Sequence, residues 1–219
     1  MSVFEPWLTP GLYDRWITFV FDRPETKDGW YFASGTDDDE FEASREDLVA
    51  LIGATCERSG RDLARFSNTQ VAHGVNYMFN NSCSNVVYAI CQKGAPAELR
   101  VDAVNAMKTL YADCFARRCD DTLANAIAEI SEANRLNVVC SYFWDSSPLS
   151  SWKGVVTDVM EFALGLKSIA CVESALYGLG HRWRDPRVPG IIDTFLRTRP
   201  HVNSQLRQRA LNIRAQFPK

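Results

Sequence analysis

The sequence predicts an all-α fold, an irregular α-solenoid in which about ten helices stack in antiparallel pairs. Apolar residues recur three and four positions apart along most of the chain after Ser44, which is the spacing of amphipathic helices. The connections between these stretches are short, and short connections favour antiparallel neighbours. The chain has 219 residues, 46% hydrophobic and 23% charged, so it can bury a core without disulfides or a metal.

Residues 1–43 are predicted to be an N-terminal helix followed by a long acidic loop. Thr9 and Pro10 are a favourable helix start, and Trp16 and Val20 follow at helical spacing. Residues 23–43 contain Pro24 and several glycines and acidic residues, which is typical of a loop. We expect the aromatic run at residues 30–32 to fix this loop to the body.

Residues 44–219 are predicted to be the helical repeat body, so that residues 1–219 make a single domain. Ser44 and Asp47 resemble a capping box, and the first body helix should stop near Gly60. The helices expected after it cover residues 63–79, 86–93, 96–115, 121–130, 137–144, 152–164, 169–183, 191–196 and 202–217. Leu123, Ile127 and Ile130 are expected to face inward in the fourth of these.

The composition excludes several classes of protein. No run of 18 apolar residues is present, so no membrane span is predicted, and the N-terminal residues do not resemble a secretory signal. The seven cysteines are odd in number and form no CxxC pair. We therefore expect reduced thiols that pack as small hydrophobic side chains in a cytoplasmic protein, with no metal or other cofactor.

Charge is distributed unevenly along the chain. Residues 180–219 hold nine Arg and Lys against two Asp, a net +7, so the net charge of −3 leaves −10 on residues 1–179. The acidic side chains concentrate in residues 36–47. These regions are either two solvated faces or surfaces that pair between copies and produce a homo-oligomer.

Five segments carry a family resemblance. They are RFSNTQVAHGVNYMFNN (65–81), LYADCFARRC (110–119), NVVCSYFWD (137–145), CVESALYGLGHRW (171–183) and IIDTFL (191–196). As a set they resemble a family of uncharacterised bacterial proteins with HEAT- or armadillo-like helical repeats. The resemblance implies stacked helix pairs and implies no activity.

No sequence motif indicates an enzyme. The chain lacks GxxxxGK[ST], HExxH and GxSxG. His73 lies on an apolar helix face near Gln70, which predicts a buried histidine satisfied by a hydrogen bond. A Cys/His enzyme using Cys140 or Cys171 with His181 stays open, although apolar neighbours should raise the pKa of both thiols.

These observations favour a non-enzymatic scaffold that binds a protein partner. Aromatic and arginine side chains are the usual interface anchors. The candidate anchors are Trp144, Trp152, His181, Arg182, Trp183 and Arg184. Alternatively, the tryptophans fill the core, and the cationic side chains complement the dipole of a helix C-terminus. A second candidate function is nucleic-acid binding by the basic C-terminal end. A third is a Cys/His enzyme that uses His73 or His181 with a cysteine.

Overall fold

The computed structural model describes residues 2–32, 40–152, 154–182 and 184–217. Within these ranges the secondary structure is helical and no strand is formed; Lys93 and Ala95 make an isolated β-bridge. The α-helices are α1 (Leu12–Phe21), α2 (Arg45–Glu57), α3 (Ser59–Asp62), α4 (Asn68–Phe79), α5 (Tyr88–Cys91), α6 (Ala97–Thr109), α7 (Ala116–Arg118), α8 (Arg135–Ser141), α9 (Phe143–Ser146), α10 (Val155–Leu164), α11 (Ile169–Gly180), α12 (Val188–Thr198) and α13 (Ser204–Ala215). A π-helical turn (Leu110–Phe115) joins α6 to α7, and 3₁₀ turns lie at Glu5–Trp7, Trp30–Phe32, Ala124–Ala126 and Pro148–Ser151.

The N-terminal helix is present, with a start slightly later than predicted. Gly11 is its N-cap and has φ of 77°, a left-handed conformation that glycine adopts without strain. Trp16 is fully buried, and its Nε1 donates to Thr55 Oγ1 at 3.0 Å, which ties α1 to α2. Trp30 is buried against Tyr77, with ring centroids 4.9 Å apart, so the aromatic run at residues 30–32 is fixed to the body as predicted. Residues 33–39, which include Asp37, Asp38 and Asp39 of the acidic stretch, lie outside the described residues.

Local capping explains where the early helices begin. The Ser44 hydroxyl accepts a hydrogen bond from the Asp47 amide, as predicted for the start of α2. The helix predicted from residue 63 begins instead at Asn68, because Ser67 and Gln70 form a complete capping box there. Gly74 on α4 allows a close approach to α1: a Cβ at this position would lie 2.2 Å from the Phe21 ring.

The predicted helix from Pro96 to Phe115 is continuous but changes its winding. Its last turns are π-helical, and the rod continues as α7 to Arg118. The Arg118 guanidinium donates to the backbone carbonyls of Leu63 and Phe66, at 2.8 and 2.6 Å, and to Asn68 Oδ1 at 2.9 Å. These bonds fix the end of α7 to the turn before α4.

The helix predicted over residues 121–130 is wrong. This segment is irregular apart from one 3₁₀ turn; Leu123 is buried, whereas Ile130 is 54% exposed. Side chains from elsewhere bond to its backbone in place of helical partners. The Asn137 amide bonds to Asp120 and Thr122, and the Glu173 carboxylate accepts from the Ala124 amide at 2.8 Å. These bonds satisfy backbone groups that a helix would otherwise pair.

The buried hydrophobic side chains form one contiguous cluster along the chain. Helix α2 packs on α6, α6 on α10, and α4 on α8, while α11 contacts α8, α9, α10 and α13. Gly178 on α11 permits a close approach to α9 and α10, because a Cβ there would lie 2.5 Å from Met160 and 2.7 Å from Trp144. The all-helical class is therefore confirmed for the described residues. None of their helices is long and apolar enough to cross a membrane.

Candidate interaction surface

Two of the six predicted anchors are not surface groups. Trp144 is fully buried, and its ring lies parallel to Tyr111 with centroids 6.4 Å apart. Arg182 is 7% exposed; its Nη1 donates to the Ser150 carbonyl at 2.7 Å, and its Nε lies 3.8 Å from Asp185 Oδ2. Burial lowers the pKa of Arg182. Both side chains hold elements together within the chain, so the expectation that they are surface anchors is corrected.

The other predicted anchors are dispersed. Trp152 is half-buried, with the Arg100 guanidinium 5.4 Å from its ring centroid. Arg184 is exposed, and Trp183 lies outside the described residues. Among the predicted anchors, His181 is exposed and lies close to other polar and aromatic side chains.

His181 is the C-cap of α11 and has an exposed side chain. Its Nε2 lies 2.5 Å from Asp145 Oδ1 on α9, with 57% and 32% of the two side chains exposed. The contact is a hydrogen bond when the imidazole is neutral and an ion pair when it is protonated. The helix C-terminus also favours a cation at this position, as the sequence suggested.

A stripe of polar residues on α11 leads to His181. Glu173, Tyr177 and His181 are spaced by four residues, so they lie along one face of the helix. The Tyr177 ring faces Tyr142, which is 43% exposed, with centroids 5.6 Å apart. From α13, the Arg209 guanidinium lies 3.7 Å from the centre of the Tyr177 ring, and its Nη2 donates to Tyr177 Oη at 3.1 Å. We call Tyr142, Asp145, Tyr177, His181 and Arg209 the His181 surface.

The charges beneath this surface are partly compensated. Glu173 is buried, and burial raises the pKa of its carboxyl group, while the Ala124 amide and Arg209 oppose that shift. The pKa of Tyr142 is also raised, first by the electrostatic effect of Tyr177 and then by burial. Tyr142 therefore serves as a neutral hydrogen-bonding group on an aromatic ring. Arg209 supplies the permanent positive charge of the surface.

The cysteines and the histidine of the possible Cys/His enzyme lie in different environments. Cys140 and Cys171 are fully buried in the core, whereas His181 is exposed beside Asp145. Burial raises the pKa of Cys140 strongly, as expected. The expectation for Cys171 is corrected: its pKa is lowered, because Cys140 donates a hydrogen bond to it, burial opposes this, and Ser168 donates a second one. All seven cysteines are free thiols.

His73 is buried as predicted, but it is not paired with Gln70. Gln70 bonds to the Ser67 amide and to the Arg23 carbonyl. His73 is 4% exposed, and its Nε2 has no hydrogen-bond partner among the described residues. Burial lowers its pKa, and nearby Arg135 adds to this effect. The prediction of a satisfied histidine is therefore corrected.

A second surface feature is a groove of about 500 Å³ between α1 and α3. The Arg58 guanidinium lies 4.8 Å from the Tyr13 ring centroid, and Tyr13 Oη donates to Asp62 Oδ2 at 3.0 Å. Arg58 also pairs with Glu5, and Arg61 pairs with Asp62. The groove's charged groups thus bond to one another, which makes it a weaker candidate than the His181 surface. Within the described ranges, no cluster of three or more His, Cys, Asp or Glu is arranged to hold a metal ion.

Sequence reasoning missed Tyr142 and Tyr177, and it considered Arg209 only as one of the arginines of the basic C-terminal end. The spacing of Glu173, Tyr177 and His181 could have revealed a polar face on α11, opposite its apolar stripe. Nothing local connects Tyr142 or Arg209 with that face, because they come from α8–α9 and α13. Comparison of the chain with family models, with curated proteins and with solved structures finds no match.

Proposed function

We propose that the chain is a non-enzymatic scaffold of HEAT-like stacked helix pairs, and that its His181 surface binds an acidic segment of a protein partner. The observation that carries this proposal is the stacking of Arg209 on Tyr177 beside the exposed ring of Tyr142. Tyrosine and arginine contribute disproportionately to binding energy at protein interfaces. Arg209 holds Tyr177 in place, so little side-chain entropy is lost when a partner binds.

The basic C-terminal segment that supplies Arg209 favours an acidic occupant. The C-terminal residues 180–219 carry a net +7. Arg209 donates to a phenol, while Arg199 and Arg207 donate to the backbone carbonyls of Leu166 and Leu196. Bonds of this kind leave the positive charge of a guanidinium in place, so Asp or Glu side chains of a partner would be attracted.

The succession of contacts supports stacked helix pairs. Helix α10 packs on α11, α12 on α13, and α13 on α11, so part of the C-terminal packing joins helices that are close in the sequence, while α10 also packs on α6 and α11 on α8. Packing between helices close in the sequence is typical of a solenoid, since each repeat contacts its neighbours and presents one long face. An accessible protein-binding face at the α9–α11–α13 junction is compatible with that architecture.

Fluorescence polarisation with labelled peptides tests the binding proposal. We expect acidic peptides containing an aromatic residue to bind more tightly than their Gln and Asn counterparts. Arg209→Ala and Tyr142→Ala should each weaken binding at least tenfold. Arg117→Ala, which removes an exposed arginine on α7, is the matched control and should leave affinity unchanged.

Binding assays with oligonucleotides distinguish this proposal from the nucleic-acid alternative. Single-stranded and duplex oligonucleotides should not bind at about 50 mM salt. Oligonucleotide binding that falls with salt and with Arg209→Ala, in the absence of peptide binding, would replace the proposal by the nucleic-acid alternative. Equal binding of acidic and amidated peptides would contradict it outright.

A further inference from the structure

Three cysteines from separate parts of the chain meet in the interior. Cys119 directly follows α7, Cys140 lies on α8, and Cys171 lies on α11. The Cys119 and Cys171 thiols both lie close enough to Cys140 to interact with it electrostatically. Cys171 Sγ also lies 3.8 Å from the Tyr111 carbonyl oxygen. Cys140 thus occupies the middle of a row of three thiols.

The position of Cys119 is set by bonds independent of the thiols. Asn137, one turn before Cys140 on α8, accepts from the Asp120 amide at 3.0 Å and donates to the Asp120 carbonyl at 2.8 Å. Residues three apart on a helix share a face, so the face that holds Asp120 also presents Cys140. The backbone beside Cys119 is therefore fixed against the Cys140 side of α8.

The three thiols differ in access to solvent. Cys140 and Cys171 are fully buried, whereas Cys119 is partly exposed. A small oxidant can therefore reach Cys119 first, and the buried Cys140 thiol lies beside it as a reaction partner. Oxidation of an accessible thiol beside a second, resolving thiol is the usual arrangement of a redox-active pair.

We propose that Cys119 and Cys140 are a redox-active pair that forms an intramolecular disulfide on exposure to hydrogen peroxide. The proposal is independent of partner binding at the His181 surface.

The chemistry requires one peroxide for each disulfide. The Cys119 thiolate, its proton lost to solvent, attacks a peroxide oxygen; the O–O bond breaks, and the departing hydroxide is protonated to water. Cys119 is then a sulfenic acid. Cys140 gives its proton to the departing sulfenic oxygen and attacks Cys119 Sγ, so that the S–S bond forms, the S–O bond breaks and a second water leaves. The two sulfurs together lose two electrons, and the peroxide gains them.

Peptide mapping of the full-length chain tests this directly. Cleavage after Arg118, Arg135 and Lys153 places Cys119 and Cys140 in separate tryptic peptides, 119–135 and 136–153. After treatment with one equivalent of hydrogen peroxide and alkylation of the remaining thiols, we expect these two peptides to be linked. Dithiothreitol should separate them again.

Variants make the assignment specific. Cys119→Ser should abolish the linked peptide, and circular dichroism should confirm that this partly exposed substitution keeps the fold. Cys83→Ser and Cys91→Ser remove other partly exposed thiols and should leave the linked peptide unchanged. As a second readout, the disulfide should slow cleavage by a glutamyl endopeptidase at the exposed residues Glu129 and Glu132 several-fold.

Three outcomes would overturn the proposal. The first is oxidation of Cys119 to a sulfinic acid while Cys140 stays reduced. The second is a link between the Cys119 residues of two chains. The third is a Cys140–Cys171 disulfide that forms equally well in Cys119→Ser.

Discussion

Trp16 and Thr55 form a buried hydrogen bond that joins α1 to α2, with the indole Nε1 donating to Thr55 Oγ1 at 3.0 Å. Thr55 in turn donates to the Leu51 carbonyl one turn earlier, so the hydroxyl is fully used. Thr55→Val keeps the shape of the side chain but leaves the indole N–H buried without an acceptor. We expect a loss of about 1–3 kcal/mol in the free energy of unfolding, measured by urea denaturation. Thr55→Ser keeps the acceptor and should recover most of this stability.

The close approach of α1 to α4 predicts an effect of adding one methyl group. Gly74→Ala would place a Cβ 2.2 Å from the Phe21 ring, which is itself buried and cannot move freely. We expect destabilisation of about 1–3 kcal/mol, typical of overpacking, in a denaturant titration. Gly190→Ala on α12 is the matched control: nothing lies within 4 Å of the added Cβ, and alanine favours a helix. A stabilised Gly74→Ala variant would contradict the packing of α1 on α4.

Arg118 and its neighbour Arg117 are expected to contribute differently to the free energy of unfolding. Its guanidinium bonds to Leu63, Phe66 and Asn68, whereas Arg117 makes one exposed ion pair with Asp113. Arg118→Ala should lower the free energy of unfolding by about 2–3 kcal/mol, because it leaves two carbonyls without their charged donor. Arg117→Ala should cost less than about 1 kcal/mol, as exposed ion pairs do. Thermal denaturation of the two variants makes the comparison, and equal losses would refute it.

The buried His73 is expected to lower the free energy of unfolding of the protein in acid. Its folded-state pKa is lowered from 6.5, first by burial and then by Arg135, while Glu25 opposes the shift. The unfolded chain therefore takes up the proton more readily. The stabilising contribution is complete above the unfolded pKa of about 6.5 and is lost as the pH falls through it toward the folded pKa.

Chemical denaturation at pH 7.5 and pH 5 of the wild type and of His73→Phe measures this contribution. The decrease in unfolding free energy on acidification should be smaller in the variant, because phenylalanine does not titrate. Carboxylates that titrate in the same range affect both proteins equally. An identical decrease in both would show that His73 is not the sensitive group.

The uneven charge of the sequence predicts self-association that depends on salt. The acidic stretch at residues 36–47 and the basic residues 180–219 can attract one another between copies. We expect light scattering to show a larger mass at low ionic strength than at high ionic strength, where exposed charges are screened. A monomer under both conditions would remove this possibility and leave the peptide-binding test unaffected.

Several helix boundaries were predictable because their causes are local. Ser44 caps α2 through a residue three positions away, Asn80 ends α4, and Pro148 prevents α9 from continuing. Residues 121–130 were not predictable in this way. Leu123, Ile127 and Ile130 have helical spacing, but Asn137 and Glu173 bind the backbone there, and Glu173 is remote in the sequence.

The candidate surface was predictable to a smaller extent. His181 was identified from its position beside arginines at a helix end, yet its partner Asp145 comes from another helix. Periodicity cannot tell a tryptophan that fills the core from one that anchors a partner, and Trp144 proved to be of the first kind. Arg182 was misjudged because its acceptor, the Ser150 carbonyl, is a backbone group that sequence alone does not position.

The π-helical turn at Leu110–Phe115 lets the continuous helix formed by α6 and α7 contact two sets of neighbouring elements. Before it, α6 packs on α2 and α10; within it, the side chains contact α3, α8 and α11. A π-turn rotates the backbone by less per residue than an α-turn, so its one extra residue is absorbed within the turn and the helix on either side keeps its orientation. Converting all six residues to regular α-helix would therefore rotate α7 by about 100° about the rod axis. The guanidinium of Arg118 would then point away from α4.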